Sequence, residues 1–255
     1  MPTVAELTAL YENLMINPQA GAGVCRVCFN FTRGYELCYA CAHGQQWLDA
    51  VVPISYSAAR EQLHHALAHY KRETGSAARR LAIELGAVLW RFLALHEPCI
   101  ARAAGASAFG LVATVPSGER ERDEQHPLRW IVSEVVEPTQ KRHRRLLKRS
   151  QHPVYERAFD VRRFVPTRAL ADEDVLLIDD TWTTGANAQS AAAALKQAGA
   201  GRVAALIIGR HVNGDWHEND RRLRAIRRPF SWERCAVCAE RRSPAGEDRE
   251  VAPGE

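Results

Sequence analysis

No run of apolar residues in this chain approaches the roughly 18 that a membrane-spanning helix needs. Residues 1–23 also lack the basic start and continuous apolar stretch of a secretory signal. No membrane insertion is expected, and the chain reads as cytoplasmic. The nucleotide-binding patterns G-x-x-x-x-G-K-[ST] and G-x-G-x-x-G are missing, which argues against P-loop and dinucleotide sites. His64, His65 and His69 share helical spacing and His217 precedes Glu218, yet neither group has the remainder of a metalloprotease motif. There is no internal repeat and no regularly spaced aromatic platform for nucleic-acid bases.

What is present is the composition of an ordinary globular protein: 255 residues, 46% hydrophobic and 25% charged, enough for one main domain and a small appendage. The net charge of +4 is modest, but cations bunch at residues 141–149 and 221–228, which suits phosphate-bearing partners or a solvated face. Of seven cysteines, six fall in C-x-x-C pairs, and in a reducing compartment such pairs point to metal rather than disulfides. Cys25 and Cys28, then nine residues, then Cys38 and Cys41 make two turns with two thiolates each. Four thiolates close a tetrahedral Zn²⁺ site with no open position, so its role is structural. Cys235 and Cys238, beside Trp232, can complete a second site with a partner chain, join the first, or stay free thiols. Cys99, alone after Pro98, is expected as a small buried hydrophobe.

Residues 4–16 have helical spacing and 51–56 read as a strand. Residues 58–95 read as two helices broken at Thr74-Gly75-Ser76, and 109–115 as a second strand closed by Pro116-Ser117-Gly118. A helix over 126–136 stops at Pro138, and about twenty polar, basic residues follow as a loop. A strand is expected within 155–165, another over 174–179, then a helix from Gly185 to a glycine stop at Gly199, then a strand over 202–208. Strand, helix, strand in this order predicts an α/β protein with a parallel sheet and helices on both faces. The predicted organisation is an N-terminal helix and linker (1–23), a Cys knuckle resembling a zinc ribbon (24–44), a main domain (51–212), an extension with C-x-x-C (213–240) and a disordered tail (241–255).

The chemistry concentrates in Val175-Leu-Leu-Ile-Asp179-Asp180-Thr181-Trp182-Thr183-Thr184-Gly185-Ala186-Asn187. An apolar strand delivers two carboxylates to the carboxyl edge of the sheet, where open α/β sheets bind ligands. Thr183, Thr184, Gly185, Ala186 and Asn187 then turn into a helix start, whose amides, hydroxyls and dipole suit a phosphate monoester. Acids beside a phosphate cradle suit a ligand carrying hydroxyls as well, such as a ribose 5-phosphate.

This segment resembles the binding motif of type I phosphoribosyltransferases. The resemblance implies that fold, with phosphoribosyl pyrophosphate and Mg²⁺ as ligands. Asp179 and Asp180 would hold the ribose hydroxyls, and residues 183–187 the 5-phosphate. Trp182 replaces a usually small aliphatic residue, and Asn187 stands where Thr or Ser is frequent. Val115, Pro116, Ser117 and Gly118 resemble the pyrophosphate loop, and the basic stretch with Lys141 and Arg142 lies where the family carries a mobile hood. The order of knuckle, Tyr56, Tyr70-Lys71, Val-Pro loop, basic segment and acid pair resembles the competence protein F type. On that resemblance the expected activity is transfer of the phosphoribosyl group to an unidentified acceptor. Thr183, where relatives acting on 6-oxopurines carry an acid, disfavours that acceptor class. The alternative expectation is a non-catalytic protein of DNA uptake that binds single-stranded DNA through its basic clusters and through exposed Trp182 or Trp232. A homodimer is compatible with either reading.

Overall fold

The structure, a computed structural model, describes residues 2–59, 61–72, 75–117, 126–226 and 229–238. The expected tail, together with Thr74, Gly118, Arg227 and Arg228, lies outside the described residues. In chain order the elements are α1 (Val4–Ala9), α2 (Tyr39–His43), β1 (Ala50–Ala58), α3 (Gln62–His69), α4 (Gly75–Ala104), β2 (Leu111–Thr114), α5 (Pro127–Trp130) and α6 (Glu137–Gln140). They continue with β3 (Leu147–Arg149), β4 (Phe164–Pro166), β5 (Val175–Trp182), α7 (Ala186–Gln197), β6 (Val203–Val212) and α8 (Asn219–Ile226).

The molecule is α/β. Its four-stranded sheet has the order β1-β6-β5-β2, and every pairing is parallel. Both faces are buried, which is why β5 and β6 read as continuous apolar runs rather than alternating ones. Successive side chains still point to opposite faces. Val52, Ile54, Val112, Leu176, Ile178 and Leu206 pack toward α3 and α4. Val51, Ala113, Val175, Leu177, Ala205 and Ile207 pack toward α7 and the Cys knuckle.

Two helices cover these faces for different reasons. Along α4, Ala82, Leu85, Leu89, Phe92, His96 and Ile100 recur at helical spacing and are all buried. This stripe carries the helix nine residues beyond the expected end at 95 and through Pro98. In α7, Ala188, Ala191, Ala192 and Leu195 face the sheet, and the small side chains let the helix lie close to it. Gly199, at φ 97°, supplies the left-handed turn that ends the helix, as expected.

Other boundaries differ from expectation. Residues 4–16 form α1 plus a 3-10 turn, Leu10–Asn13. The expected helix over 126–136 is α5 followed by a π turn, Ile131–Val135. Pro138 sits in the first turn of α6, where its missing N–H costs nothing. The expected loop after it contains β3, which pairs antiparallel with β4, and of the 155–165 stretch only Phe164 and Val165, the start of β4, are strand. β5 does not stop at its acids. It pairs with β6 as far as Trp182 opposite Arg210. Among the described residues no helix is long and apolar enough to cross a membrane.

The alanine face of α7 makes a stability prediction. Ala191 has no accessible surface, so Ala191→Leu should overpack the helix–sheet interface and cost about 1–3 kcal/mol. The fall in the urea midpoint measures it, and an unchanged midpoint would reveal spare volume under the helix.

Candidate functional site

The end of β5 is where the sheet opens. Thr114 pairs with Ile178, and the Val115 amide still donates to the Ile178 carbonyl at 3.0 Å. There the β2 register ends while β6 continues alongside, so β5 runs on with a strand on one side only. Asp179 and Asp180 lie in this extension, and strand alternation sends their side chains to opposite faces.

Asp180 points to the α3 face and is buried. Its carboxylate accepts a short hydrogen bond from the Tyr70 hydroxyl. It pairs with Lys71 Nζ at 2.5 Å and lies 4.0 Å from His126 Nε2. Burial alone would push this carboxyl up, but Lys71, His126 and the Tyr70 hydroxyl outweigh it and hold Asp180 below its ordinary range. Asp179 is half-buried on the other face, and its Oδ1 accepts the Asp180 amide at 2.9 Å. Burial, and then the negative charge of Asp180, push its carboxyl up to about 8. The pair therefore shares its protons unequally: Asp180 is ionised and Asp179 holds a proton at neutral pH.

Asp179 faces a small concavity of about 60 Å³ that Thr183, Thr184, Gly185, Ala186 and Asn187 also line. At the start of α7 the first backbone amides have no acceptor within the helix and point outward. Gly185 is required there twice over. Its φ is 83°, and a Cβ would collide with the buried Trp182 ring. The 150–163 segment returns over this turn: Thr184 Oγ1 donates to the Arg157 carbonyl at 3.3 Å, and Ser190 Oγ accepts the Asp160 amide at 3.1 Å. Arg157, exposed and in the left-handed region at φ 58°, is thereby placed on the rim of the concavity. Val115 and Pro116 are buried at the adjacent strand end, followed by half-buried Ser117.

The basic segment is a correction. Arg142 Nη1 donates to Glu97 at 2.5 Å and to the Phe109 carbonyl at 2.9 Å, while Nη2 reaches Glu97 at 2.8 Å and the Pro138 carbonyl at 2.7 Å. Phe109 precedes β2, so this guanidinium sits at the amino edge of the sheet, away from the acids. Residues 142–144 run beside β2 through the Val112–His143 bridge. Arg142 is therefore held away from the carboxyl edge, and the exposed Lys141 precedes it. Trp182 and Trp232, expected to be exposed, are both buried and cannot stack on bases. In α8, Arg221 and Arg224 pair along the helix with Glu218 and Asp220 as an ordinary solvated face.

The knuckle packs on the same edge. The sulfurs of Cys25, Cys28, Cys38 and Cys41 all lie within 4.8 Å of one another and are buried. Cys28 Sγ to Cys38 Sγ is 3.6 Å, against about 3.8 Å for a tetrahedral site with Zn–S near 2.3 Å. The cluster is compatible with structural zinc. Arg210, itself buried, donates to the Cys28 carbonyl at 2.8 Å, to Cys28 Sγ at 3.5 Å and to the Trp182 carbonyl at 3.0 Å. It ties the knuckle to the end of β5 and offsets part of the charge of a tetrathiolate. Between the knuckle and α8 lies a larger cavity of about 780 Å³ that reaches Thr183 and Thr184.

Tyr70, Lys71, His126 and Arg157 are the members of this edge to which the sequence assigned no role. Tyr70 and Lys71 stood in it only as part of an order of elements. Comparison of the chain with protein-family models, curated proteins and solved structures found no match.

Two predictions follow from this geometry. Because the folded pKa of Asp179 is raised, its protonated form contributes stability that is fully present below about 3.8 and lost as pH rises through about 8. Asp179→Asn keeps an acceptor for the Asp180 amide but removes this loss. The variant should gain on the wild type by on the order of 1 kcal/mol or more between about pH 5 and about pH 9. Urea midpoints across that range measure it, and a constant difference would place the proton elsewhere. For the knuckle, Cys25→Ser with Cys28→Ser should lower bound zinc by about one ion per chain, read by metal analysis of the purified protein. Unchanged zinc would move the site to other ligands.

Proposed function

We propose that this chain is a type I phosphoribosyltransferase-like protein of the competence protein F kind, which binds phosphoribosyl pyrophosphate at the carboxyl edge of its sheet and transfers the phosphoribosyl group to an acceptor. The observation that carries this reading is that Asp179 and the phosphate-type turn at the start of α7 line one concavity. A ribose 5-phosphate places its phosphate on the amides and hydroxyls of residues 183–187 and its hydroxyls on the acid. The adjacent end of β2, with Val115, Pro116 and Ser117, is the place for the diphosphate, and Arg157 on the rim supplies a cation.

Mg²⁺ would arrive with the diphosphate and neutralise charge on the leaving group. In the reaction an acceptor atom bonds to ribose carbon 1 as the bond from that carbon to the diphosphate breaks, the electron pair leaving with pyrophosphate. Positive charge builds on the ribose. The ionised Asp180, fixed by Lys71 and Tyr70 behind Asp179, presents a preorganised negative field to that charge. The cavity of about 780 Å³ that opens at Thr183 and Thr184 is the space for the acceptor.

Calorimetric titration of phosphoribosyl pyrophosphate with Mg²⁺ tests the reading. The loss of the Asp179 hydrogen bond, worth about 0.5–1.5 kcal/mol for a neutral acid, together with the charge of Asp180 behind it, implies that Asp179→Asn with Asp180→Asn weakens binding by roughly 10-fold or more. Circular dichroism checks that the variant folds. Equal affinity in both proteins, or no binding to the wild type, would sink the assignment.

A further inference from the structure

Away from the carboxyl edge, a second group of metal-type side chains comes together from distant parts of the chain. His96 and Cys99 are one turn apart on α4, three residues in sequence, and so share a helix face. Cys235 and Cys238 lie in the 229–238 segment, which packs against that face. Their four ligand atoms all lie within 4.8 Å of one another. His96 Nδ1 is 3.9 Å from Cys99 Sγ and 3.9 Å from Cys238 Sγ. A tetrahedral zinc with Zn–S near 2.3 Å and Zn–N near 2.0 Å separates nitrogen from sulfur by about 3.5 Å. The side chains therefore need to close by only a few tenths of an ångström.

The surroundings suit ligands rather than chance neighbours. The other ring nitrogen of His96, Nε2, lies 2.6 Å from the Trp232 carbonyl, an acceptor only. Nε2 must therefore carry the proton, which leaves the Nδ1 lone pair facing the sulfurs, as an outer-shell partner does for a metal-bound histidine. The amides of Cys235 and Cys238 approach each other's sulfur at 3.2 and 3.3 Å, as donors do around thiolates. His96 and Cys235 are buried, Cys99 and Cys238 half-buried. Three sulfurs and one imidazole, with no carboxylate, select zinc over magnesium or calcium.

We propose that His96, Cys99, Cys235 and Cys238 form a second structural zinc site that clamps the C-terminal segment to α4. The segment is also held by direct contacts, Asn17 Nδ2 among them, which donates to the Ser231 and Arg234 carbonyls. The Phe230 amide donates to the Glu12 carbonyl, the Ser231 amide to Asn17 Oδ1 and Trp232 Nε1 to Glu12, while Trp232 also lies under the Arg91 guanidinium. These contacts join the segment to the turn after α1 and to α4, so the metal closes a junction of three chain regions. Four protein ligands leave no open position, and the ion is not catalytic.

Metal analysis of the full chain, purified under reducing conditions, is the test. The wild type should carry about two zinc ions per chain, and Cys235→Ser with Cys238→Ser about one. Zinc X-ray absorption of the wild type, which needs no variant to fold, should require a nitrogen in the averaged first shell. His96→Gln should remove that nitrogen contribution. About one zinc per chain in the wild type with an all-sulfur shell would overturn the proposal. So would a disulfide among Cys99, Cys235 and Cys238 in peptide mapping of the same preparation.

Discussion

A carboxylate buried at the end of a central strand has to be balanced, and Asp180 is balanced by an ammonium and a phenol from the end of α3 and by a histidine from the far side of the segment after β2. Removing one partner of such a buried pair typically costs about 3–5 kcal/mol. The network thus fastens three separate chain regions around the open edge of the sheet. It also governs the chemistry there. Burial, and then the fixed negative charge on Asp180, favour the protonated form of Asp179, so two adjacent acids of the same type acquire different states.

Arg210 does for the knuckle what Lys71 does for the strand. A buried guanidinium is tolerable only when its donors are met, and here they are met by carbonyls from the knuckle, from β5 and from β6. The Cys cluster is consequently a wall of the edge rather than a separate appendage, and the larger cavity exists because the knuckle and α8 stand on either side of it. The buried tryptophans belong to the same logic: Trp182 lies beneath the turn at Gly185, and Trp232 beneath Arg91.

Periodicity and local chemistry made much of the molecule legible. The β-branched and aliphatic run before Asp179, the glycine at each end of α7, the alanine face between them and the paired C-x-x-C turns each act over a few residues, so their consequences can be read along the chain. They yield the parallel α/β core, the acid pair, the turn after it and the knuckle. Errors arose where the outcome depended on distant partners. β5 continues past its acids because β6 continues beside it, and Arg142 of the basic stretch is drawn to the amino edge by Glu97.

The sequence by itself therefore determined which residues are acids, thiolates and turn formers, and which elements carry them. Only the tertiary structure decided that Asp180 turns to Lys71 and Tyr70 while Asp179 faces the turn, and that Cys99 is no lone cysteine but stands with His96, Cys235 and Cys238. The reason is physical. Strand alternation and helix spacing act between near neighbours, whereas burial, charge pairing and ligand clustering depend on residues separated by a hundred or more positions, which only the packing of α3 and α4 on the sheet brings together.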